Sequence, residues 1–149
     1  MKIEDEIKQS KFNSEYHKLG VNLSYTANWL TRVVTQDLKP YKLTPQQFNV
    51  LRILRGQFPK PATINLITER MLDKMSNASR LVDKLYKKGL VERQQCPQDR
   101  RQVDVVITQK GQDLLAKIDE QTNGWETLLN HVTLDEAKTL NSLLDKMRS

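Results

Sequence analysis

Nucleophiles, metal ligands and phosphate-binding loops are the residue patterns that announce chemistry, and this chain has few of them. It carries one cysteine, Cys96, and two histidines, His17 and His131. The histidines lie far apart and no Cys-x-x-Cys or His-x-x-x-His spacing accompanies them, so no metal-ligand set is legible. There is no Gly-rich phosphate loop and no Gly-x-Ser-x-Gly turn. These patterns argue against an enzyme and against a bound cofactor. Cys96 sits in a polar turn with basic neighbours that favour a thiolate, which makes it a candidate redox thiol. The alternative is an incidental thiol. A single cysteine excludes an internal disulfide.

What the chain does offer is a cluster of base-reading and phosphate-binding side chains. Ser76, Asn77, Ser79, Arg80, Asp83 and Lys84 share the polar face of one amphipathic segment whose apolar stripe is Ala78, Leu81, Val82 and Leu85. Ser, Asn and Arg have the reach and the donor and acceptor sets to meet base edges from a helix lying in the major groove. Lys74 precedes that segment, and Lys87 and Lys88 follow it, where they suit phosphates or a helix C-terminus. Further on, Asp99, Arg100 and Arg101 lie in a polar turn between two apolar alternations. Arginines there are placed for a neighbouring minor groove, with Asp99 as the brace of the turn through an ion pair to an arginine.

The charge balance agrees. Of the 149 residues, Lys and Arg number 24 and Asp and Glu 18, a net charge of +6. Lys60 to Gly111 contains 11 basic and 6 acidic residues, a net +5, so the remainder contributes only +1. A basic block flanked by near-neutral segments is the footprint of a polyanion-binding module.

The elements that position these residues follow from periodicity. A long helix is expected from about residue 10 to Leu38, ended by Pro40. A second opens at Thr44 with Pro45 in its first turn. A short third begins at Thr63, and a turn through Asp73 leads to the fourth, with Ser76 as its N-cap and Gly89 just past its end. Residues 90–95 and 102–108 alternate as two strands of a hairpin. One helix from about Gln109 to Asn130 and a last one capped by Thr133 and Glu136 close the chain. The architecture expected is mainly α with a small β-hairpin wing: a winged helix-turn-helix lobe at about 44–108, with outer helices at about 10–38 and 109–149, in one domain of 149 residues. The mean hydropathy of −0.64 is low, which implies helices exposed in the monomer or buried only on assembly. No stretch reaches the roughly 18 apolar residues of a membrane span, and the charged N-terminus lacks an apolar signal region, so a cytoplasmic location is expected.

The run Ser79-Arg80-Leu81-Val82-Asp83-Lys84-Leu85, followed by Lys87-Lys88-Gly89-Leu90-Val91-Glu92-Arg93, resembles the recognition helix and first wing strand of the MarR (multiple antibiotic resistance regulator) family. Asp99-Arg100-Arg101, then Val103, Val105, Ile107, Thr108 and Gly111, resembles that family's wing and the entry to its next helix. The resemblance extends in pattern over nearly the whole chain. It implies a homodimer held by the first and last helices, and a transcriptional regulator, usually a repressor, binding a pseudo-palindromic double-stranded DNA operator. It also implies release by a small phenolic or other aromatic effector or by thiol oxidation. Lys74, Ser76, Asn77, Ser79, Arg80, Lys84, Arg100 and Arg101 are its DNA-contacting positions. In the family the effector cleft lies between the dimer helices and the DNA-binding lobe, where Tyr25, Trp29, Tyr41, Phe48 and Trp125 are the candidates; ordinary core or interface packing is the other reading of these aromatics. Leu72-Asp73 departs from the Gly-Leu or similar apolar pair of many relatives. Peroxide-sensing relatives carry their reactive cysteine near the N-terminus, unlike Cys96. A winged-helix protein–protein adaptor without DNA binding and a redox regulator acting through Cys96 are the alternatives.

Overall fold

The computed structural model describes residues 1–99, 101–122 and 124–149. It is mainly helical with one small antiparallel sheet, a winged helix. The chain runs through α1 (Ile3–Glu6), α2 (Glu15–Leu38), α3 (Pro45–Gln57), β1 (Ala62–Thr63), α4 (Ile64–Arg70), α5 (Ala78–Lys87), β2 (Val91–Gln95), β3 (Val103–Ile107), α6 (Gln109–Gln121), α7 (Trp125–Leu128) and α8 (Leu134–Met147).

Local chemistry explains most boundaries. Thr44 and Gln47 form a reciprocal capping box at the start of α3, with Pro45 in its first turn. Thr133 and Glu136 do the same for α8. Thr63 and Thr108 cap α4 and α6 through their hydroxyls. A 3₁₀ turn, Lys39–Tyr41, follows α2 at Pro40. At the end of α5, Gly89 takes φ +74°, its N–H donates to the Tyr86 carbonyl at 2.9 Å and that of Leu90 to the Leu85 carbonyl at 3.0 Å. This left-handed closure satisfies the last carbonyls and turns the chain into β2.

Three boundaries and one strand differ from the periodicity reading. The long helix begins at Glu15, because Ser14 accepts the His17 N–H at 3.1 Å and so caps it, and a separate short helix precedes it. Asn77, not Ser76, caps α5: its side chain accepts the Arg80 N–H at 3.1 Å. The helix expected from Gln109 to Asn130 ends at Gln121; Thr122 is extended and Gly124 starts a separate turn, α7. The two-residue β1 was not anticipated, since a pair of residues has no period to read.

β3 is the central strand of the order β1-β3-β2. Ala62 pairs with Val105, and β2 pairs from Val91 with Ile107 to Gln95 with Val103. Beneath the sheet lies one core: Val50, Leu51 and Leu54 of α3, Ile67 of α4, Val82 and Leu85 of α5, Val91, Val105 and Ile107 of the strands, and Leu115 and Ile118 of α6. Each such side chain contributes about 1.5–3 kcal/mol when fully buried. Of the outer segments expected at about 10–38 and 109–149, α6 packs into this core through Leu115 and Ile118, whereas α2 reaches it only at its end and α8 stays apart. Leu38 alone is buried in the 24 residues of α2, and α8 buries none. Among the described residues no helix is long and apolar enough to cross a membrane.

Candidate nucleic-acid interface

The core dictates which side of α5 faces outward. Ala78, Val82 and Leu85 are buried, so Ser79, Arg80 and Lys84 emerge exposed on the opposite face. Asn77, also exposed, stands at the helix start, its side chain partly committed to the cap. Ser76 is half-buried in the preceding turn. The structure therefore brings together Asn77, Ser79, Arg80 and Lys84 on and before one helix. It treats Lys74 differently: the ammonium donates to the Glu69 carbonyl and, at 3.4 Å, to that of Thr68, so it caps the C-terminus of α4. Lys88 likewise folds inward onto the Lys42 carbonyl and the side chain of the buried Gln47.

The wing is fastened to α5 by charge and ring contacts. Arg93 of β2 donates to Asp83 at 3.1 Å and lies 4.4 Å from the centre of the Tyr86 ring. Lys87 reaches the other oxygen of Asp83 at 3.2 Å. The Lys87 ammonium, with Arg93 beside it, holds the Asp83 carboxyl below its ordinary range against the opposing effect of partial desolvation. Sequence reading took Asp83 as part of a polar face and did not see this bridge, since nothing in the spacing pairs residue 83 with residue 93.

At the wing tip, the Cys96 N–H donates to the Gln102 carbonyl at 2.9 Å and closes the loop. Asp99 braces the turn, but through the backbone: its carboxylate accepts the Arg101 N–H at 2.9 Å. Among the described residues it makes no ion pair with Arg101. The Arg101 side chain is exposed. Arg100 lies outside the described residues. Cys96 is half-buried beside the tip.

A further node joins the recognition segment to α6. The Thr108 N–H donates to the Leu90 carbonyl at 3.1 Å, its hydroxyl to the Gly89 carbonyl at 2.8 Å, and the Lys110 ammonium to the Lys88 carbonyl at 2.9 Å. Gly111 packs against this junction.

The stretch 43–103 matches the model of the MarR family. Within that stretch the chain is similar to MarR-family domains. Known structures agree along most of the chain. A cysteine-to-serine mutant of MarR from E. coli, solved in complex with operator DNA, is 28% identical over 93% of this chain and 99% of that one, with a TM-score of 0.76. A MarR transcription factor from Planctomyces limnophilus is 29% identical over 91% and 98%, with a TM-score of 0.68. An organohalide-sensing transcriptional regulator, solved with 2,4-dichlorophenol bound, shares the fold at 21% identity and a TM-score of 0.80, over 94% of this chain and 85% of that one. Within the matched stretch, Ser76 to Arg101 supply all the candidate contacts except Lys74, which lies two residues earlier.

The five aromatics proposed for a cleft do not meet. Tyr25 and Trp29 of α2 line a cavity of about 510 Å³ with Ile3, Glu6, Thr26 and Arg32. The Tyr25 hydroxyl donates to Glu6 at 2.7 Å, and the Arg32 guanidinium lies 5.9 Å from the Tyr25 ring centre. That carboxylate holds the Tyr25 phenol protonated above its ordinary range. Tyr41 instead donates to Gln121 at 2.6 Å, Phe48 packs against the core under Arg52, and Trp125 stands half-exposed on α7. The part of α1 in forming the cavity was not legible, because four residues carry too little periodicity to announce a helix. His17 accepts the Asn13 N–H at 3.1 Å on Nδ1, and His131 is exposed. Among the described residues no three His, Cys, Asp or Glu side chains converge as a metal site.

Proposed function

We propose that this chain is a transcriptional repressor that binds a pseudo-palindromic double-stranded DNA operator as a homodimer and is released by a small phenolic effector. The observation that carries the reading is the outward face of α5. Ser79, Arg80 and Lys84 project from a helix anchored by its buried stripe, beside a wing that presents Arg101, within a block of net charge +5. Arg80 would read base edges with Ser79 and Asn77. Lys84 and Arg101 would meet phosphate or the minor groove, and Arg100, the preceding residue in the sequence, is the other candidate. Lys74 and Ser76 would support the turn that delivers the helix. The likeness to a MarR protein solved with operator DNA supports the assignment.

Two lobes of about 44–108 would be held by the outer helices of two protomers. Leu134, Leu140, Leu143 and Met147 of α8 and Leu19 and Leu23 of α2 are all exposed in the single chain, and an apolar stripe of that extent is what a second copy would cover. The Tyr25–Trp29 cavity has two aromatic faces and the Arg32 cation, a suitable lining for a phenol or phenolate. A structurally similar regulator binds 2,4-dichlorophenol.

The test is a fluorescence-anisotropy titration against upstream duplexes and random-sequence duplexes at several salt concentrations. The expected result is tight binding to one upstream duplex, two protomers per duplex, a steep salt dependence, and loss of affinity on adding chlorinated phenols. Equal binding to every duplex and to heparin would overturn the reading.

A further inference from the structure

The turn between α4 and α5 reverses the usual partition of polar and apolar side chains. Its sequence is Leu72-Asp73-Lys74-Met75. The polar pair is turned onto the backbone: the Asp73 carboxylate accepts the Met75 N–H at 3.0 Å, and the Lys74 ammonium caps the last carbonyls of α4. The apolar pair faces solvent. Leu72 is 88% exposed and Met75 93%, and among the described residues only the terminal Met1 is a more exposed large apolar side chain. The backbone that displays them is held: the Leu72 N–H donates to the Asn49 side chain at 2.9 Å and the Ser76 N–H to the Asp73 carbonyl at 3.2 Å. An ordered turn that ties down its charges and extends its apolar side chains is built to meet an apolar surface.

Met75 stands two residues before the Asn77 cap, next to the side chains that the DNA reading aims at base edges. The apolar group that the major groove presents is the C5-methyl of thymine. We infer that Met75 is a specificity-determining residue that packs on a thymine methyl at the edge of each half-site. The inference rests on the operator-binding reading above. A long, unbranched thioether suits the task, because it follows a methyl group without demanding one geometry.

The experiment is a thymine-to-uracil scan, which deletes one methyl at a time. The full-length protein first enriches a tight duplex from a random pool. Each thymine of that duplex is then replaced singly by deoxyuridine, and binding is measured for the unaltered chain, Met75→Ala and Met75→Leu. Covering one methyl corresponds to about fourfold in affinity. The expected result is a thymine whose methyl matters about fourfold to the unaltered chain and to Met75→Leu, and not to Met75→Ala. Because Met75 is almost wholly exposed, its truncation leaves the fold intact, and circular dichroism checks this. An enriched duplex in which no methyl deletion distinguishes Met75→Ala from the unaltered chain would overturn the inference and leave the operator reading standing. Enrichment of no duplex would overturn both.

Discussion

Gly111→Ala should destabilise this protein although it places the best helix former inside a helix. Gly111 is the third residue of α6, and its N–H donates to the Thr108 hydroxyl at 3.1 Å. A Cβ there would lie 2.4 Å from the Leu90 carbonyl oxygen and 2.7 Å from Ile107 Cγ1, whereas ordinary contact starts at 3.4 Å. The Leu90 carbonyl also accepts the Thr108 N–H, so it cannot retreat without stretching the bond that joins α6 to the end of α5. Alanine gains about 0.9 kcal/mol in helix propensity. Overpacking against backbone costs about 1–3 kcal/mol, and weakening the Thr108–Leu90 bond about 1 kcal/mol more. The net expectation is a loss of about 2 kcal/mol. With an m-value of about 2 kcal/mol/M, the urea midpoint falls by about 1 M. Gly56→Ala is the matched control: nothing lies within 4 Å of its Cβ position, so the propensity gain stands alone and the midpoint rises by about 0.3–0.5 M. Both are compared at one protein concentration, since assembly would shift the midpoint. A midpoint for Gly111→Ala at or above that of the unaltered chain would refute the packing argument.

Arg80→Ala should flatten the preference for the enriched duplex by about tenfold or more, whereas Lys84→Ala should weaken all duplexes alike and reduce the salt slope by about 1; the same pair of titrations reads both. Leu143→Glu sets a charge in the exposed apolar stripe of α8, and sedimentation should then return a particle near the protomer mass of 17.4 kDa in place of twice that mass. The Tyr25 pKa is raised above its ordinary 10.0 chiefly by the hydrogen bond to Glu6. The stabilisation is therefore complete below that ordinary value and is lost as pH rises through the higher folded one. Tyrosinate absorbance should show Tyr25 titrating above its ordinary range, and Glu6→Gln should bring it back towards that range. Identical titrations would remove Glu6 as the cause.

Legibility in the sequence tracked the range of the interaction responsible. Capping boxes at Thr44 and Thr133, the Gly89 closure and the apolar stripe of α5 are local, and three or four residues suffice to write each. The same is true of Ser79, Arg80 and Lys84, whose exposure follows from Val82 and Leu85 being buried. Where two caps competed, as Ser76 and Asn77 did, side-chain type could not choose between them, because both residues accept an N–H equally well. Long-range pairs were not readable at all. The Asp83–Arg93 bridge needs the β2 trajectory, Lys74 and Lys88 needed carbonyls on other elements, and Tyr41 left the expected cleft because Gln121, eighty residues away, offered its hydroxyl an acceptor. The break at Thr122 was hidden by Trp125, Leu128 and Leu129, which continue the apolar pattern of α6 while the backbone departs from it.

That Tyr41–Gln121 bond bears on how an effector signal could travel. The chain enters the winged-helix core through the turn that holds Tyr41, and α6, which packs on that core through Leu115 and Ile118, ends at Gln121. One hydrogen bond of 2.6 Å therefore ties that entrance to the end of α6, and Arg55 of α3 reinforces it by donating to Asp119 of α6 at 2.7 Å. At the far end, Thr108 and Lys110 bind the carbonyls that close α5. The recognition helix, the wing and α6 are thus cross-linked at both ends around a buried core, and such a body resists internal deformation. The Tyr25–Trp29 cavity lies outside it, on α1 and α2. A ligand there would act on the recognition face by tilting α2 against the lobe as a whole. On the proposed dimer, two lobes on one duplex would have to match half-sites about one helical turn apart, so a rigid tilt of either lobe would change the spacing directly, with no rearrangement inside the lobe.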